Sequence, residues 1–305
     1  MSESKNNDAI ARCLLQSDSL RAVVVLNTHL VVDICERHQA KGLLAVGLAR
    51  TSTSALLLAS LTKNDESVTL RIATDGRIGG LTADAKSNGN VRAYPSKIDA
   101  TLPAAPAGVR VSLSSFLGKN GLVSVARDLG LKENFSGQTD LSGREVDTDV
   151  EHYLCMSEQI DSVLVCDAEL DELGNIVRSG GLLLQAMPDS THKETLERLR
   201  EELHTSSFLD ALRAADEAGA LVRHVLGEMA DDLKVLETRP VQFACPCSRE
   251  RAESTLRLLG ESDLESLLAD PGTADVMCEF CQTRYVFEAT DLVALCAGFR
   301  TQRPS

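Results

Sequence analysis

Four cysteines near the C-terminus limit what this chain can form more than any other feature of its 305 residues. Cys245 and Cys247 form a C-x-C pair, Cys278 and Cys281 form a C-x-x-C pair, and 30 residues lie between the two pairs. Zinc binds four soft ligands tetrahedrally, and two short-spaced pairs from separate loops can supply them. The spacing therefore predicts one zinc ion per chain, bound by all four cysteines of the reduced protein.

The segment that carries these cysteines, residues 241–305, is small and has few large apolar side chains. A unit of about 65 residues usually needs a metal or disulfides to stay folded. Structural zinc contributes on the order of 10–16 kcal/mol in small zinc-binding peptides, whereas a whole domain is typically stable by about 5–15 kcal/mol. We therefore expect the segment to unfold when its thiolates are oxidised and zinc is lost.

The sequence around the first pair favours thiolates. Ser248 is expected to cap a helix that begins at Arg249, which places Cys245 and Cys247 at the positive end of that helix. Arg249 and Arg251 would lower the pKa of the thiols further, although both could equally be solvated surface charges. A disulfide between Cys245 and Cys247 would close a tight, strained ring, and strained disulfides are easily reduced again. This spacing favours a reversible redox switch.

The first 187 residues have the pattern of an α+β (mixed α/β) main domain. Alternating apolar residues and β-branched runs predict strands, and Ala- and Leu-rich runs predict helices. The predicted strands are 20–32, 67–74, 108–113, 121–128, 162–170 and 180–187, and the predicted helices are 42–61 and 147–159. The glycine-rich stretch 76–80 lacks the spacing of a dinucleotide site and predicts a turn.

Residues 189–236 have a different character, with 17 charged residues among 48 and a net charge of −5. A capping box formed by Thr191 and Glu194, followed by Leu196, Leu199 and Leu203 at helical spacing, predicts helices. Two interpretations remain open. The segment is either a pair of ordinary amphipathic helices packed on the main domain or a metastable linker that docks and melts.

Composition narrows the functional class. The formal net charge of −14 and the sequence pI of about 4.9 argue against general binding to nucleic acid or anionic membranes. No stretch approaches the roughly 20 apolar residues of a transmembrane helix. The polar N-terminus resembles neither a secretory signal nor a transit peptide, which predicts a cytoplasmic protein with reduced cysteines.

Two other functions compete with a zinc switch. A thiol oxidoreductase would need a thioredoxin-like βαβ unit beside its C-x-x-C pair, and the sequence predicts none there. A zinc ribbon for nucleic acid would need a basic surface, whereas residues 241–305 carry 6 basic and 10 acidic residues. Neither a G-x-x-x-x-G-K-[S/T] loop nor a G-x-S-x-G elbow occurs, so we expect no enzyme. The six histidines are scattered and are expected on surfaces or helix faces.

These motifs resemble those of one family, the redox-regulated heat-shock holdases, also called the 33-kilodalton chaperonins. Residues 243–251 (FACPCSRER) resemble the family's first zinc motif, and residues 276–281 (VMCEFC), followed by Tyr285 and Phe287, resemble the second. Similar stretches lie at residues 84–92, 128–137, 157–159 and 180–185. The resemblance spans nearly the whole chain.

The resemblance implies an N-terminal α/β holdase domain (1–187), a helical metastable linker (188–240) and a C-terminal zinc-binding redox-switch domain (241–305). It implies an ATP-independent chaperone that is idle while reduced and zinc-bound. Hypochlorite or peroxide, acting with mild unfolding, would release zinc and form the disulfides Cys245–Cys247 and Cys278–Cys281. The linker would then unfold, and a homodimer would bind unfolding client proteins.

Two features depart from the family pattern. Ala93 stands where the family usually has glycine, a change that would alter a local turn. Five cysteines lie outside the motifs: Cys13, Cys35, Cys155, Cys166 and Cys296. Cys296 is close enough in sequence to the zinc site to mispair during oxidation, and the other four are expected to be buried, inert thiols.

Overall fold

The computed structural model describes residues 7–15, 20–62, 66–99, 102–128, 130, 135–187, 193–205 and 207–300. The chain divides into two compact units between Ala244 and Cys245. The architecture is the predicted mixed α/β one. The further division of the first unit at residue 187 stays a prediction.

Two sheets and a set of helices make up the first unit. Its strands are β1 Ala9–Leu15, β2 Leu20–Leu26, β3 Ser67–Thr74, β4 Leu81–Lys86, β5 Asn90–Pro95, β6 Gly121–Asp128, β7 Phe135–Asp140, β8 Ser162–Leu170, β9 Ile176–Ala186, β10 Leu233–Pro240 and β11 Gln242–Phe243. Its helices are α1 Thr28–His38, α2 Gly42–Ala59, α3 Val146–Glu158, α4 Lys193–Leu203, α5 Ser207–Ala214 and α6 Ala218–Leu226, followed by a 3-10 turn, Gly227–Ala230.

The five-stranded sheet has the antiparallel order β10-β1-β2-β9-β8, and the six-stranded sheet has the order β11-β5-β4-β3-β6-β7, with only β11 and β5 parallel. Side chains alternate between the two faces of a strand, and both faces of the five-stranded sheet are apolar. Val23 and Leu183 share a core with α1, α2, α3 and the second sheet. Val24 and Leu182 face the helices α4, α5 and α6.

Helix α2 is apolar on all sides and is buried along its whole length, as expected of a helix at the centre of a core. By length and composition it is also the one helix among the described residues that could cross a membrane. Every residue of this helix is instead enclosed by the protein.

Most predicted elements of the first unit are confirmed, but two strand predictions are wrong. Residues 108–113 form no strand; instead the Val111 carbonyl accepts a hydrogen bond from the buried Arg50. The strand predicted over 20–32 ends at Leu26, and α1 begins at Thr28 despite its β-branched residues. The carboxylate of Asp8 accepts hydrogen bonds from two N–H groups in the first turn of α1, at His29 and Leu30, and so stabilises the helix start.

The predicted linker is helical only in part. Helices α4, α5 and α6 occupy its first portion, but its last residues form β10, which pairs with β1 from Ala9 to Leu15. The β-branched and extended residues at the end of the segment therefore add an edge strand to the first sheet. Thr191 of the predicted capping box lies outside the described residues.

Charges also lie inside the first unit. The guanidinium of Arg50, 0% exposed, lies 2.7 Å from Glu145 and 2.9 Å from Asp167. Asp167 is also fully buried and has a second partner, Arg110, at 3.2 Å. Buried charges are tolerated only when they are paired, so these contacts tie α2, β8 and the start of α3 together.

Replacing Arg50 with alanine should cost about 3–5 kcal/mol of unfolding free energy, because Asp167 and Glu145 would lose a buried partner. Urea unfolding measures this directly. Arg77→Ala is the matched control, since its ion pair with Asp99 is about half exposed on the arginine side and should be worth at most about 1 kcal/mol. Equal losses in the two variants would contradict the structural role of Arg50.

Candidate metal centre

The second unit is built around a small core. Its elements are α7 Arg249–Arg257, α8 Glu261–Ala269, β12 Ala274–Met277, β13 Arg284–Phe287 and α9 Ala289–Arg300. Strands β12 and β13 form an antiparallel hairpin. Eight buried residues among those described make up the core: Ala252, Leu256, Leu264, Ala274, Phe287, Leu292, Leu295 and Cys296. Units with a core of this size usually need a metal or disulfides to stay folded.

The four predicted ligands come from two loops of this unit. Cys245 and Cys247 lie just before α7, and the second pair lies in the turn between β12 and β13. In that turn the N–H of Cys278 donates to the carbonyl of Thr283 at 3.0 Å, and the N–H of Gln282 donates to the carbonyl of Cys278 at 2.9 Å. Gln282 takes the left-handed conformation, with φ of 58°. The turn therefore holds the backbone around both cysteines in place.

The structure brings all four sulfurs together. Sγ of Cys245 lies 3.6 Å from Sγ of Cys278, and Sγ of Cys247 lies 3.2 Å from Sγ of Cys281. All four lie within 4.8 Å of one another. Four sulfurs at about 2.3 Å from a tetrahedral zinc ion would be separated by about 3.8 Å. The donor set therefore fits a metal ion of this kind.

The thiols of the cluster differ in how readily they ionise. Burial raises the pKa of Cys247 to about 12, against the opposing effect of a hydrogen bond from Tyr285, and burial also raises the pKa of Cys278. Burial opposes ionisation of Cys281 as well, but its contact with the Thr283 hydroxyl and with neighbouring thiols holds its pKa down to about 6. Without a cation, four thiolates this close would repel one another. A divalent ion would supply the charge that lets all four ionise.

The two side chains that follow the first cysteine pair, Ser248 and Arg249, have different roles. Ser248 caps α7 as predicted, since its hydroxyl accepts a hydrogen bond from the N–H of Arg251 at 3.3 Å. Arg249, however, donates to the Val286 carbonyl and to Asp291, both at 2.7 Å, and stacks on the ring of Phe287. Its charge is thus compensated by Asp291. The role of Arg249 is to join α7 to β13 and α9.

Sequence reasoning gave Tyr285 no function, yet its hydroxyl donates to Sγ of Cys247 at 3.2 Å. Groups that hydrogen-bond a metal ligand orient it and tune its affinity for the ion. The signal in the sequence was its place just after VMCEFC, in the stretch that resembles the family's second zinc motif.

The other cysteines follow expectation with one exception. Cys13, Cys35 and Cys166 are buried, and burial raises the pKa of Cys13 to about 11 and that of Cys35 to about 12. Cys155 on α3 is exposed, so the prediction that it is buried was wrong. Cys296 belongs to the core of the second unit.

The chain combines a mixed α/β unit with a small second unit that holds four clustered cysteines. Comparison with known proteins shows the family to which a chain with this combination belongs. The model of the Hsp33 protein family matches residues 8–288. This chain belongs to the Hsp33 family.

Curated relatives and a solved structure agree with this assignment. The chain is 31% identical to the 33 kDa chaperonin of Bacillus subtilis over 289 residues, which is 94% of this chain and 98% of the relative. It is 33% identical to that of Gloeobacter violaceus over 303 residues, 97% of each chain. The crystal structure of the 33 kDa chaperonin (heat shock protein 33 homolog) of Thermotoga maritima matches with a TM-score of 0.84 at 26% identity, covering 97% of this chain and all of that one.

Replacing Tyr285 with phenylalanine should weaken zinc binding by about tenfold, because Cys247 would lose a hydrogen-bond donor that stabilises its thiolate. Competition with a chromogenic chelator under reducing conditions measures the affinity. Tyr94→Phe removes a hydroxyl from β5, in the other unit, and should leave the affinity unchanged. Equal affinities in the two variants would show that the Tyr285 contact does not support the metal.

Proposed function

We propose that this chain is a redox-regulated, ATP-independent holdase that prevents unfolding proteins from aggregating. Membership of the Hsp33 family supports a chaperone rather than an enzyme. The observation that carries the redox part is the cluster of four cysteine sulfurs within 4.8 Å, in a unit with only a small core.

In the reduced state, Cys245, Cys247, Cys278 and Cys281 would hold one zinc ion per chain. Zinc would supply the charge that keeps four thiolates together and the cross-link that holds the small unit folded. The chain would be idle in this state. Its second unit would then depend on the metal for its stability.

Oxidation would remove both supports. Each pair of cysteines would give two electrons to one molecule of peroxide or hypochlorite, forming one disulfide while the oxidant is reduced to water or to water and chloride. We propose the pairs Cys245–Cys247 and Cys278–Cys281, as membership of the Hsp33 family and the resemblance to its zinc motifs imply. Zinc has no remaining thiolate ligand once both disulfides have formed.

The predicted linker would then release an apolar surface. Helices α4, α5 and α6 cover one face of the five-stranded sheet, at Val24, Val163, Val165, Leu182 and Leu184. Unfolding of these helices would expose both this sheet face and their own apolar stripe, and either surface could hold an apolar segment of a client. We propose that the oxidised form is a homodimer that acts in the cytoplasm, without nucleic acid or membrane.

A thiol oxidoreductase has less support. The described strands of the second unit form only the β12–β13 hairpin, whereas a thioredoxin-like site needs a βαβ unit beside its C-x-x-C pair. We therefore do not assign turnover to Cys278 and Cys281.

Zinc content and chaperone activity, measured together across oxidation, test the proposal. The reduced protein should carry one zinc per chain and leave aggregation of a heat-unfolded client unchanged. Warm peroxide or hypochlorite should release the zinc and produce suppression of aggregation, and peptide mapping should find the two disulfides proposed above. Full zinc release with no change in aggregation would refute the switch.

Two cysteine variants sharpen the test. Cys155→Ser, at an exposed position outside the cluster, should bind zinc and respond to oxidant as the parent chain does. Cys278→Ser should bind zinc more weakly because it loses one of the four ligands. Normal zinc affinity in Cys278→Ser would exclude this residue from the site.

A further inference from the structure

A group of charged residues joins helix α4 to the body of the first unit. The imidazole of His204, which directly follows α4, lies 3.6 Å from Asp147 through Nδ1 and 3.4 Å from Glu151 through Nε2. Arg200, one turn earlier, pairs with the other carboxylate oxygen of Glu151. Both acids belong to α3 and both are buried. We call these four residues the α4 latch.

The acidic side of the α4 latch is fixed by the body of the unit. Asp147 is 2.6 Å from Arg110 and also accepts a hydrogen bond from the N–H of Cys166. Glu151 accepts a hydrogen bond from the N–H of Leu164 at 2.8 Å. None of these three partners of the two acids belongs to α4.

Counting the charges shows what α4 contributes. The ion pairs around α4 join into one network of four carboxylates, three guanidinium groups and the imidazole of His204. The carboxylates are those of Glu145, Asp147, Glu151 and Asp167, and the guanidinium groups are those of Arg50, Arg110 and Arg200. The network is neutral only when His204 is protonated. Without Arg200 and His204 it would carry a net charge of −2 in a largely buried place.

The state of His204 decides how well α4 docks. A protonated imidazole has an N–H on each nitrogen and can face both acids, whereas a neutral one has a single N–H and must turn a lone pair toward one of the two carboxylates. The side chain is only 18% exposed, so water can do little to offset this repulsion. The apolar part of the contact is also small, because, among the side chains of α4 that the structure describes, only Leu196, Leu199 and Leu203 insert into the core beneath it.

We propose that the α4 latch makes docking of helix α4 dependent on pH, with His204 as the group that opens it when it loses its proton. The latch is a property of the reduced, folded chain and does not depend on the proposed chaperone function. Its consequence for activation does rest on that function. If release of α4 exposes the client surface, alkaline pH should lower the threshold for activation by oxidants.

The direction of the effect follows from the pKa values. Burial disfavours the charged imidazole, but Asp147 and Glu151 outweigh it and raise the pKa of His204 to about 9, against about 6.5 in an unfolded chain. The contribution of His204 to docking is therefore complete below about pH 6.5 and is lost as pH rises through about 9. Burial opposes ionisation of Asp147, but Arg110 and His204 hold its pKa well below its usual range, so Asp147 stays charged throughout this window.

Hydrogen exchange of the α4 amides in the reduced, zinc-loaded full chain tests the latch. Between pH 7.0 and 8.5, after division by the intrinsic exchange rate, protection of α4 should fall by about 20-fold, as expected for a group whose pKa drops from about 9 to about 6.5 on opening. Strand β3 serves as the internal reference and should show no such change.

Variants separate the latch from general pH effects. His204→Gln should show the same low protection of α4 at both pH values, and His204→Lys should show high protection at both. His224→Gln, which changes an exposed histidine of α6, should behave as the parent chain does. An unchanged pH slope in His204→Gln would overturn the proposal.

Titration of the His204 imidazole in the parent chain tests the proposal even if a variant fails to fold. The NMR resonances of the His204 imidazole in the parent chain should titrate with a midpoint near 9. A midpoint at or below 6.5 would overturn the proposal whatever the variants show. Because this experiment uses the reduced protein alone, its failure would leave the zinc switch untouched, and failure of the switch would leave the latch untouched.

Discussion

The close approach of four cysteine sulfurs is the constraint on which the second unit depends. Sulfurs separated by 3.2 and 3.6 Å cannot all carry negative charge unless a cation lies among them. The core of eight described residues offers little other stability. In the proposed function, the same four atoms would support the unit while they bind zinc and would become open to oxidation once the zinc leaves.

In the first unit, the helices that cover the five-stranded sheet are also held partly by charged groups. Helices α4, α5 and α6 cover an apolar sheet face that would otherwise be exposed. At α4 the attachment combines three leucines with two cations, Arg200 and His204, set against buried acids. Such a contact is strong only when both cations are charged, because an unpaired buried carboxylate costs several kcal/mol. The proposed function requires helices α4, α5 and α6 to undock. The attachment of α4 thus depends partly on charge, and the charge of His204 depends on pH.

The sequence predicted the grouping of the four cysteines better than it predicted the fold around them. Two close cysteine pairs identify a four-sulfur site because zinc imposes a fixed ligand number and short loops limit where the sulfurs can lie. Alternating or β-branched apolar runs likewise located β3, β6 and β8 with their correct limits. The position of α1 was missed because Asp8, distant in sequence, caps a run whose β-branched residues favour a strand.

Long-range electrostatics could not be predicted in the same way. His204 was expected on a surface or helix face, yet it completes a network with acids more than 50 residues away. For Arg249 the sequence left open whether it lowers the thiol pKa values or is a solvated surface charge, yet Asp291 and Phe287 engage it. In both cases the partner is set by tertiary packing, which a single sequence does not encode in any local pattern.

Hydrogen exchange of the reduced protein before and after zinc is removed with a chelator tests the central claim most directly. Without zinc and without any oxidant, the amides of α7, α8 and α9 should lose protection and approach the exchange of an unfolded chain, while those of α2 and β3 should keep theirs. Restored zinc should restore protection. Full protection of α7, α8 and α9 in the zinc-free reduced protein would contradict the claim that the metal holds this unit folded.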